Sequence, residues 1–221
     1  MIFITGCARS GSSLVAGIVD RCGAWGGNVE GPTRFNPKGQ YENLEIRRKI
    51  VKPILKMASA DPMGQQPLPS GTNLMKMLNG FPAETRRSMD NIIKKQGYKG
   101  PMPWYAKEPK FTLIWPILMR AYPEALYIIV HRPDHLIIKS CMRTSFMRKR
   151  TTEDEWQEWI NFHKTRFDEM ESFGNVHRVN SLAIVKGNFN KIKSVIEKAG
   201  LTWNQSAVEQ FVDKKIWNTK K

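Results

Sequence analysis

The amino-acid sequence predicts a three-layer α/β fold, in which a parallel β-sheet is flanked by helices on both faces. Two apolar runs, residues 2–4 and 126–130, have the length and composition of buried parallel strands. Each run is followed by a polar or glycine-containing turn and then by apolar residues at helical spacing. A chain that repeats strand, turn and helix is typical of a parallel sheet with helical crossovers.

The first fourteen residues combine a strand, a turn and the start of a helix. The apolar run at residues 2–4 precedes a segment that begins with Gly6 and ends with Gly11, and residues 14–19 then supply an apolar helical face. The backbone N–H groups of such a loop, together with the open N-terminus of the helix, converge on an anion of phosphate size. The alternative interpretation is a capped helix start without a ligand.

The loop matches the P-loop pattern G-x-x-x-x-G-K-[ST] only in part. Gly6, Gly11 and Ser13 occupy three of its positions, but Ser12 stands where the pattern requires lysine. Arg9 lies three residues before that position, where its guanidinium can contact two oxygens of a phosphate or a sulfonate. The positive charge of this loop is therefore carried by Arg9.

The segment Arg9-Ser10-Gly11-Ser12 resembles the first signature of the sulfotransferases that use 3′-phosphoadenosine 5′-phosphosulfate (PAPS) as donor. The resemblance implies the sheet topology of that family, which is similar to that of the P-loop nucleotide hydrolases. It also implies that this loop binds the donor. The residues expected to contact the donor here are Ala8, Arg9, Ser10, Gly11, Ser12 and Ser13.

Residues 23–42 are rich in Gly, Pro and Asn, which predicts a loop with a short strand near residues 28–30. Within it, residues 36–43 resemble the Gly-aromatic-Glu segment of bacterial and phage sulfotransferase-like proteins. The resemblance implies that Glu42 is the general base that accepts the proton of the acceptor hydroxyl. The alternative is that Glu42 only favours the positive end of a helix, which is predicted over residues 43–57.

The stretch at residues 59–73 has no hydrophobic period and contains five Pro or Gly residues. A loop of this length in a compact domain is often a lid or a binding segment. Helices are predicted to follow it over residues 74–78 and 83–95.

A further strand is predicted at residues 104–106 and is stopped by Pro109. Lys107 and Glu108 then fall at the carboxyl end of a strand, the edge at which open α/β sheets bind ligands. Residues 107–110 resemble the Lys-x-Pro-Arg stretch of sulfotransferase-like proteins, with Lys110 in the Arg position. The resemblance implies that Lys107 holds the transferring sulfonate or the substrate. The alternative is an ordinary loop lysine.

The run at residues 126–130 is predicted to be a central strand, followed by a helix over residues 135–147. Arg132 and Ser140 are eight residues apart, which is the separation in the second signature of the sulfotransferases, Arg-x-Pro-x-x-x-x-x-Ser. The resemblance implies that both residues bind the 3′-phosphate of the donor. The alternative is that Arg132 pairs with Asp134 while Ser140 faces solvent.

The chain beyond residue 150 is predicted to be mostly helical. A capped helix with an acidic first turn begins near residue 151, a strand is predicted at residues 176–179, and helices are predicted at 190–198 and 205–214. No repeat or linker marks a second domain. Residues 1–221 are therefore expected to form one α/β domain with a helical C-terminal part.

Composition places the chain among ordinary globular proteins, with 41% hydrophobic and 25% charged residues. No apolar run approaches the roughly 18 residues that indicate a membrane span. Cys7, Cys22 and Cys141 have no metal-ligand spacing and fit buried thiols in a reducing compartment, so a cytoplasmic location is expected.

The formal net charge of +15 indicates anionic partners. The basic residues are spread along the chain and are dense only at residues 47–49, 143–150 and 220–221. Most of them are expected to lie on solvated helix faces, and a minority are expected to line an anion-binding cleft. No nucleic-acid-binding motif accompanies them, which argues against a nucleic acid as partner.

The resemblance implies transfer of a sulfonate from PAPS to a hydroxyl or an amine, with adenosine 3′,5′-bisphosphate as product. Positioning and charge stabilisation are expected to dominate, with Arg9 or Lys107 neutralising the leaving oxygen. No metal is implied, because the Walker lysine and a clear magnesium carboxylate are both lacking. The acceptor is left open between a small molecule, a saccharide, a lipid and a protein, and the oligomeric state is left open too.

Two functions of other classes remain alternatives. A P-loop nucleotide or small-molecule kinase would depend on ATP and magnesium, and the serine at position 12 argues against it. A non-catalytic nucleic-acid-binding protein would explain the positive charge, with an affinity that falls steeply as salt rises.

Overall fold

The computed structural model describes residues 1–34 and 36–213. Within these residues, four strands form one parallel sheet in the order β2-β1-β3-β4. The strands are β1 (Ile2–Gly6), β2 (Tyr105–Lys107), β3 (Leu126–His131) and β4 (Val176–Asn180). The α-helices are α1 (Ser12–Arg21), α2 (Leu44–Ile46), α3 (Lys52–Met57), α4 (Gly71–Lys76), α5 (Phe81–Lys95), α6 (Trp115–Ala121), α7 (Asp134–Met142), α8 (Glu153–Phe173), α9 (Ser181–Val185), α10 (Asn190–Lys198) and α11 (Gln205–Phe211).

Side chains of β1 alternate between two apolar layers, one on each face of the sheet. Phe3 belongs to the core formed with α5, α6 and α8, whereas Ile2 and Ile4 belong to the core formed with α1, α10 and α11. All of β1 is buried, as expected for a central parallel strand. This parallel sheet between two helical layers confirms the predicted fold class.

The strand ends determine where polar side chains can meet. Ile4 of β1 is in register with Lys107 of β2, and Gly6 is in register with Val130 of β3. Because the strands are parallel, the residues that follow them emerge at one edge of the sheet. The loop at residues 7–11, Lys107 and Arg132 therefore come together at this carboxyl edge.

The helix predicted over residues 43–57 is present but is not regular. The Asn43 side chain caps it by accepting hydrogen bonds from the backbone N–H groups of Glu45 and Ile46, at 3.2 and 3.3 Å. A π-helical segment, Arg47–Val51, separates α2 from α3. A single helical run in the sequence is thus interrupted by a wider turn.

The strand predicted near residues 28–30 is wrong. Val29 makes only an isolated antiparallel bridge with Asn43. Pro32 follows two residues after this segment and lacks the N–H group that would extend a ladder.

The helix predicted over residues 135–147 is too long, because α7 ends at Met142. Gln65 Nε2 donates a hydrogen bond to the Phe146 carbonyl at 2.9 Å, and Gln65 Oε1 accepts one from the Lys149 backbone N–H at 3.2 Å. These contacts with a loop distant in sequence hold the segment after α7 in a non-helical conformation. The hydrophobic periodicity of the local sequence cannot indicate these contacts with Gln65.

Other predicted boundaries differ by a few residues. The strand predicted at 104–106 is Tyr105–Lys107, and the helix predicted at 74–78 is Gly71–Lys76, which starts from the side-chain cap of Ser70. The helix predicted at 205–214 ends at Phe211, and its last predicted residue lies outside the described residues. The helix predicted at 190–198 is confirmed.

The capped start of α8 is also confirmed. Thr152 accepts a hydrogen bond from the Glu155 backbone N–H, and the Glu155 side chain accepts one from the Thr152 N–H.

All three cysteines are buried and unoxidised. In the part of the chain that the structure describes, no helix has the length and apolar character needed to cross a membrane.

Gly17 allows α1 to pack closely against α11. A Cβ atom at this position would lie 2.2 Å from Phe211 Cζ and 3.1 Å from Tyr41 Cε2.

We predict that Gly17→Ala lowers the free energy of unfolding by on the order of 1–2 kcal/mol, because overcrowding outweighs the better helix propensity of alanine. Urea unfolding would measure this loss. Adding Phe211→Leu should restore part of it, and an unchanged loss in the double variant would contradict the assignment to Phe211.

Candidate active site

A cavity of about 1280 Å³ opens at the carboxyl edge of the sheet. Its walls come from the loop after β1, the start of α1, the end of β2 and the residues that follow β3. The loop residues 33–34 and 36–40, the loop segment at 63–65 and part of α8 also line it. The residues predicted from the sequence that line this cavity are Ala8, Arg9, Gly11, Ser12, Ser13, Glu42, Lys107, Arg132 and Ser140.

The loop after β1 has a backbone that only certain residues can adopt. Gly6 has a φ of +147°, and a Cβ atom there would lie 2.3 Å from the Val130 carbonyl oxygen. Gly11, at the start of α1, has a φ of 96°. Arg9 has a φ of 69°, which is uncommon for a residue with a side chain. These conformations direct the loop and the first turn of α1 toward the cavity.

Arg9, Arg132 and Ser140 form one hydrogen-bonded group. Arg9 Nε donates to Ser140 Oγ at 2.9 Å, and Arg132 Nη1 donates to the Arg9 carbonyl at 3.3 Å. Burial lowers the pKa of Arg9, and burial followed by repulsion from Arg9 lowers the pKa of Arg132 to about 10. Two neighbouring, partly buried guanidinium groups are costly to desolvate and gain most from a bound anion with several oxygens.

Ser10 differs from the other predicted loop residues. Its side chain is fully buried and does not line the cavity. The Ser10 carbonyl accepts a hydrogen bond from Ser181 Oγ at 2.6 Å, so Ser10 ties the loop to the start of α9. Its hydroxyl oxygen has no hydrogen-bond partner among the described residues.

Lys107 is a buried cation at the carboxyl end of β2. Its side chain is 3% exposed, and its Nζ lies 2.5 Å from Glu42 Oε1 and 3.2 Å from Ser13 Oγ. Burial lowers the pKa of Lys107 to about 7, against the attraction of Glu108 and with repulsion from Arg47. Lys107 thus connects the loop after β1 to the carboxylate proposed as the base, and it is not an exposed loop lysine.

Arg47 is the centre of an ion network that the sequence pattern did not identify. It is paired with Glu42 Oε2, with Glu108 Oε2 at 3.1 Å and with Glu30 Oε2 at 3.4 Å. Lys110 Nζ lies 2.6 Å from Glu108 Oε1. Burial favours a higher pKa for Glu108, but Lys110 and Arg47 outweigh it and hold the pKa below its usual value. Most of the basic residues were expected on solvated faces and a minority in an anion-binding cleft, and nothing in the local sequence distinguishes Arg47 from Arg48.

Glu42 is positioned by these cations and not by the helix that follows it. Its two carboxylate oxygens face Lys107 and Arg47, while Asn43 provides the helix cap. Tyr41, the residue before Glu42, has a φ of 58°, which is a left-handed backbone conformation. The helix-end interpretation of Glu42 therefore does not account for its contacts.

The far side of the cavity is more apolar. It is formed by the loop segment at 63–65, by Leu113, by the segment after α7 and by Trp159. Trp159 Nε1 donates a hydrogen bond to the Gly64 carbonyl at 2.8 Å, which fixes the loop on α8. Part of the stretch expected to be a lid or a binding segment is therefore part of the cavity wall.

Metal ligands were not expected at this site. Within residues 1–34 and 36–213, no three His, Cys, Asp or Glu side chains are grouped so that they could hold a metal ion. Glu42, which lines the cavity, is bound by Arg47 and Lys107, and the buried Glu108 is bound by Arg47 and Lys110.

A search of curated proteins found no match. Among solved structures, the chain is similar to the sulfotransferase STF1 from Mycobacterium tuberculosis, with a TM-score of 0.58 and 15% sequence identity over 96% of this chain and 70% of that chain. At this identity the likeness shows the fold alone, which is the P-loop-like α/β fold of the sulfotransferases. A model of the sulfotransferase family matches residues 2–205. Because this match extends over nearly the whole chain, the chain belongs to the sulfotransferase family.

Proposed function

We propose that the protein transfers a sulfonate group from PAPS to a hydroxyl or an amine of an acceptor. The observation that carries this proposal is the convergence of the partly buried guanidinium groups of Arg9 and Arg132 with the Lys107–Glu42 pair in one cavity at the carboxyl edge of the sheet. The two guanidinium groups suit a phosphate-rich donor. The Lys107–Glu42 pair suits stabilisation of the leaving oxygen's negative charge and acceptance of a proton. Family membership agrees with both roles.

The size of the cavity and its guanidinium groups support a donor nucleotide with two phosphate-type groups. Its volume of about 1280 Å³ exceeds the space that one mononucleotide needs, which leaves room for an acceptor. We assign the backbone of residues 8–13 and Arg9 to the 5′ side of the donor, and Arg132 with Ser140 to its 3′-phosphate. Arg9 is partly buried and forms no ion pair with any described residue, so its charge is available for an anion.

PAPS would supply a sulfonate on a phosphate leaving group. Lys107 in its charged form would neutralise the negative charge that develops on the leaving oxygen, and Ser13 would orient the lysine through their hydrogen bond. Glu42 would accept the proton of the acceptor. Its carboxylate oxygens have further lone pairs beyond those that Lys107 and Arg47 engage.

The setting of the protein is part of the proposal. Three buried thiols, Cys7, Cys22 and Cys141, support a reducing compartment, and we propose the cytoplasm. We also propose that residues 1–221 act as one catalytic domain. A kinase and a nucleic-acid-binding protein are the competing functions, and the first experiment below separates them from sulfonate transfer.

We predict that adenosine 3′,5′-bisphosphate stabilises the folded protein. At about 100 times its dissociation constant, a ligand that binds only the native state adds about 2.7 kcal/mol, which corresponds to a rise in Tm of roughly 5–10 °C. Differential scanning fluorimetry measures this shift, with ATP plus magnesium and a short DNA duplex as comparisons. A shift with ATP-magnesium alone would favour a kinase, and a shift with DNA alone would favour a nucleic-acid-binding protein.

We predict that Arg132→Ala weakens adenosine 3′,5′-bisphosphate on the order of tenfold to a hundredfold, because a charge-assisted hydrogen bond is worth about 1.5–3 kcal/mol. Adenosine 5′-phosphate should be affected far less, since it lacks the 3′ group. Titration calorimetry of both ligands is the measurement. Arg148→Ala is the control, because Arg148 is exposed and outside the cavity. Equal weakening of both ligands by both variants would remove Arg132 from a 3′-phosphate pocket.

We predict that the protein takes up about one proton when it binds adenosine 3′,5′-bisphosphate at pH 8. The pKa of Lys107 is about 7 in the free protein, and a phosphate beside the ammonium favours its charged form. Calorimetry in buffers of different ionisation enthalpy counts the protons. Lys107→Met should abolish the uptake, and the exposed Lys49→Met should retain it. Uptake that persists in Lys107→Met would assign the proton to another group.

A further inference from the structure

The π-helical segment Arg47–Val51 has a direct effect on the cavity wall. The backbone N–H of Lys52 donates to the carbonyl of Arg47, five residues earlier, which is the hydrogen bond of a π-turn. In a regular α-helix, residues five apart are separated by roughly 140° around the axis. The wider turn brings Arg47 and Lys52 closer to one face, and both line the cavity.

Lys52 is an uncompensated cation on that face. The carboxylates of Glu42 and Glu108 are already bound by Arg47, Lys107 and Lys110. Within the described chain, the Lys52 ammonium has neither an ion pair nor a hydrogen bond.

Neighbouring charges add to this imbalance. Burial lowers the pKa of Lys52, and repulsion from Lys110 and Arg47 lowers it further, against a smaller attraction by Glu108. The surroundings therefore disfavour this cation in the absence of a ligand. An anion bound beside Lys52 would relieve the repulsion.

The surface near Lys52 is apolar and partly open to solvent. Met63 and Phe146 line the cavity and are 45% and 42% exposed, and Leu113 is buried behind them. Lys110 lies close to both regions. Its charge repels Lys52, and its side chain packs at Gly64 beside Leu113, since a Cβ added to Gly64 would lie 3.0 Å from both Lys110 Cγ and Leu113 Cδ1. A cation and an apolar surface are thus neighbours in the same part of the cavity.

We infer that the acceptor carries an anionic group, which binds Lys52, next to an apolar group that packs on Met63, Leu113 and Phe146. This inference rests on the proposed function, because it assigns this side of the cavity to the acceptor. The anion is a carboxylate, a phosphate or a sulfate, all of which a lysine binds as a compact point charge. An uncharged alcohol of the same size leaves the Lys52 ammonium uncompensated and binds more weakly.

The test uses the full chain saturated with adenosine 3′,5′-bisphosphate and three small probes. 4-Phenylbutyrate and 4-phenylbutyl phosphate carry the two kinds of anion, and 4-phenylbutyramide is their neutral match. Calorimetry gives the three dissociation constants. We expect at least one anionic probe to bind about tenfold more tightly than the amide, the size of a single charge-assisted contact.

Two variants assign this preference to one side chain. Lys52→Met should remove the preference and leave the affinity for the amide unchanged. Lys56→Met, one turn further along α3, exposed and outside the cavity, should keep it. A preference that survives in Lys52→Met, or one that falls equally in both variants and disappears with salt, would overturn the inference.

Failure of the inference can be told apart from failure of the proposed function. Equal affinities for the three probes, or no binding of any of them, with adenosine 3′,5′-bisphosphate bound normally, would overturn the anionic acceptor alone. Absence of adenosine 3′,5′-bisphosphate binding would overturn the proposed function and the inference together.

Discussion

The site depends on the compensation of one buried cation, Lys107. Its position follows from the register of β2 with β1, which places the ammonium beside the loop after β1. A lysine at this depth is stable only with a carboxylate and hydrogen bonds around it. Glu42 and Ser13 supply them, and Arg47 in turn balances the second oxygen of Glu42. The loop, the end of β2 and the start of the following helical region are therefore one electrostatic unit.

Much of the scaffold could be predicted because it is local. Residues 2–4 and 126–130 are apolar runs of strand length, and the turn after Gly6 needs glycines that the sequence displays. Parallel strands bring the residues after them to one edge, so the proximity of Arg9, Lys107 and Arg132 follows from topology alone. The alternation of strand and helix was sufficient for the fold class.

The remaining features depend on contacts that no local pattern encodes. The π-turn at Arg47–Val51 appears in the sequence as ordinary helix, so the inward position of Arg47 could not be inferred. The early end of α7 depends on Gln65, which is distant in sequence from the residues it holds. Ser10 matches the signature, yet its hydroxyl faces the protein interior. Signatures locate a site, and tertiary contacts decide which of its side chains face the ligand.

The hydrogen bonds of Arg9 connect the two signature regions, which are the loop after β1 and the residues from Arg132 to Ser140. Its side chain contacts Ser140 in the last turn of α7, and its backbone carbonyl accepts a hydrogen bond from Arg132, which precedes α7. Substitutions at the two ends of the proposed nucleotide pocket are therefore not independent of each other. In related chains, the residue types at positions 9, 132 and 140 should therefore covary.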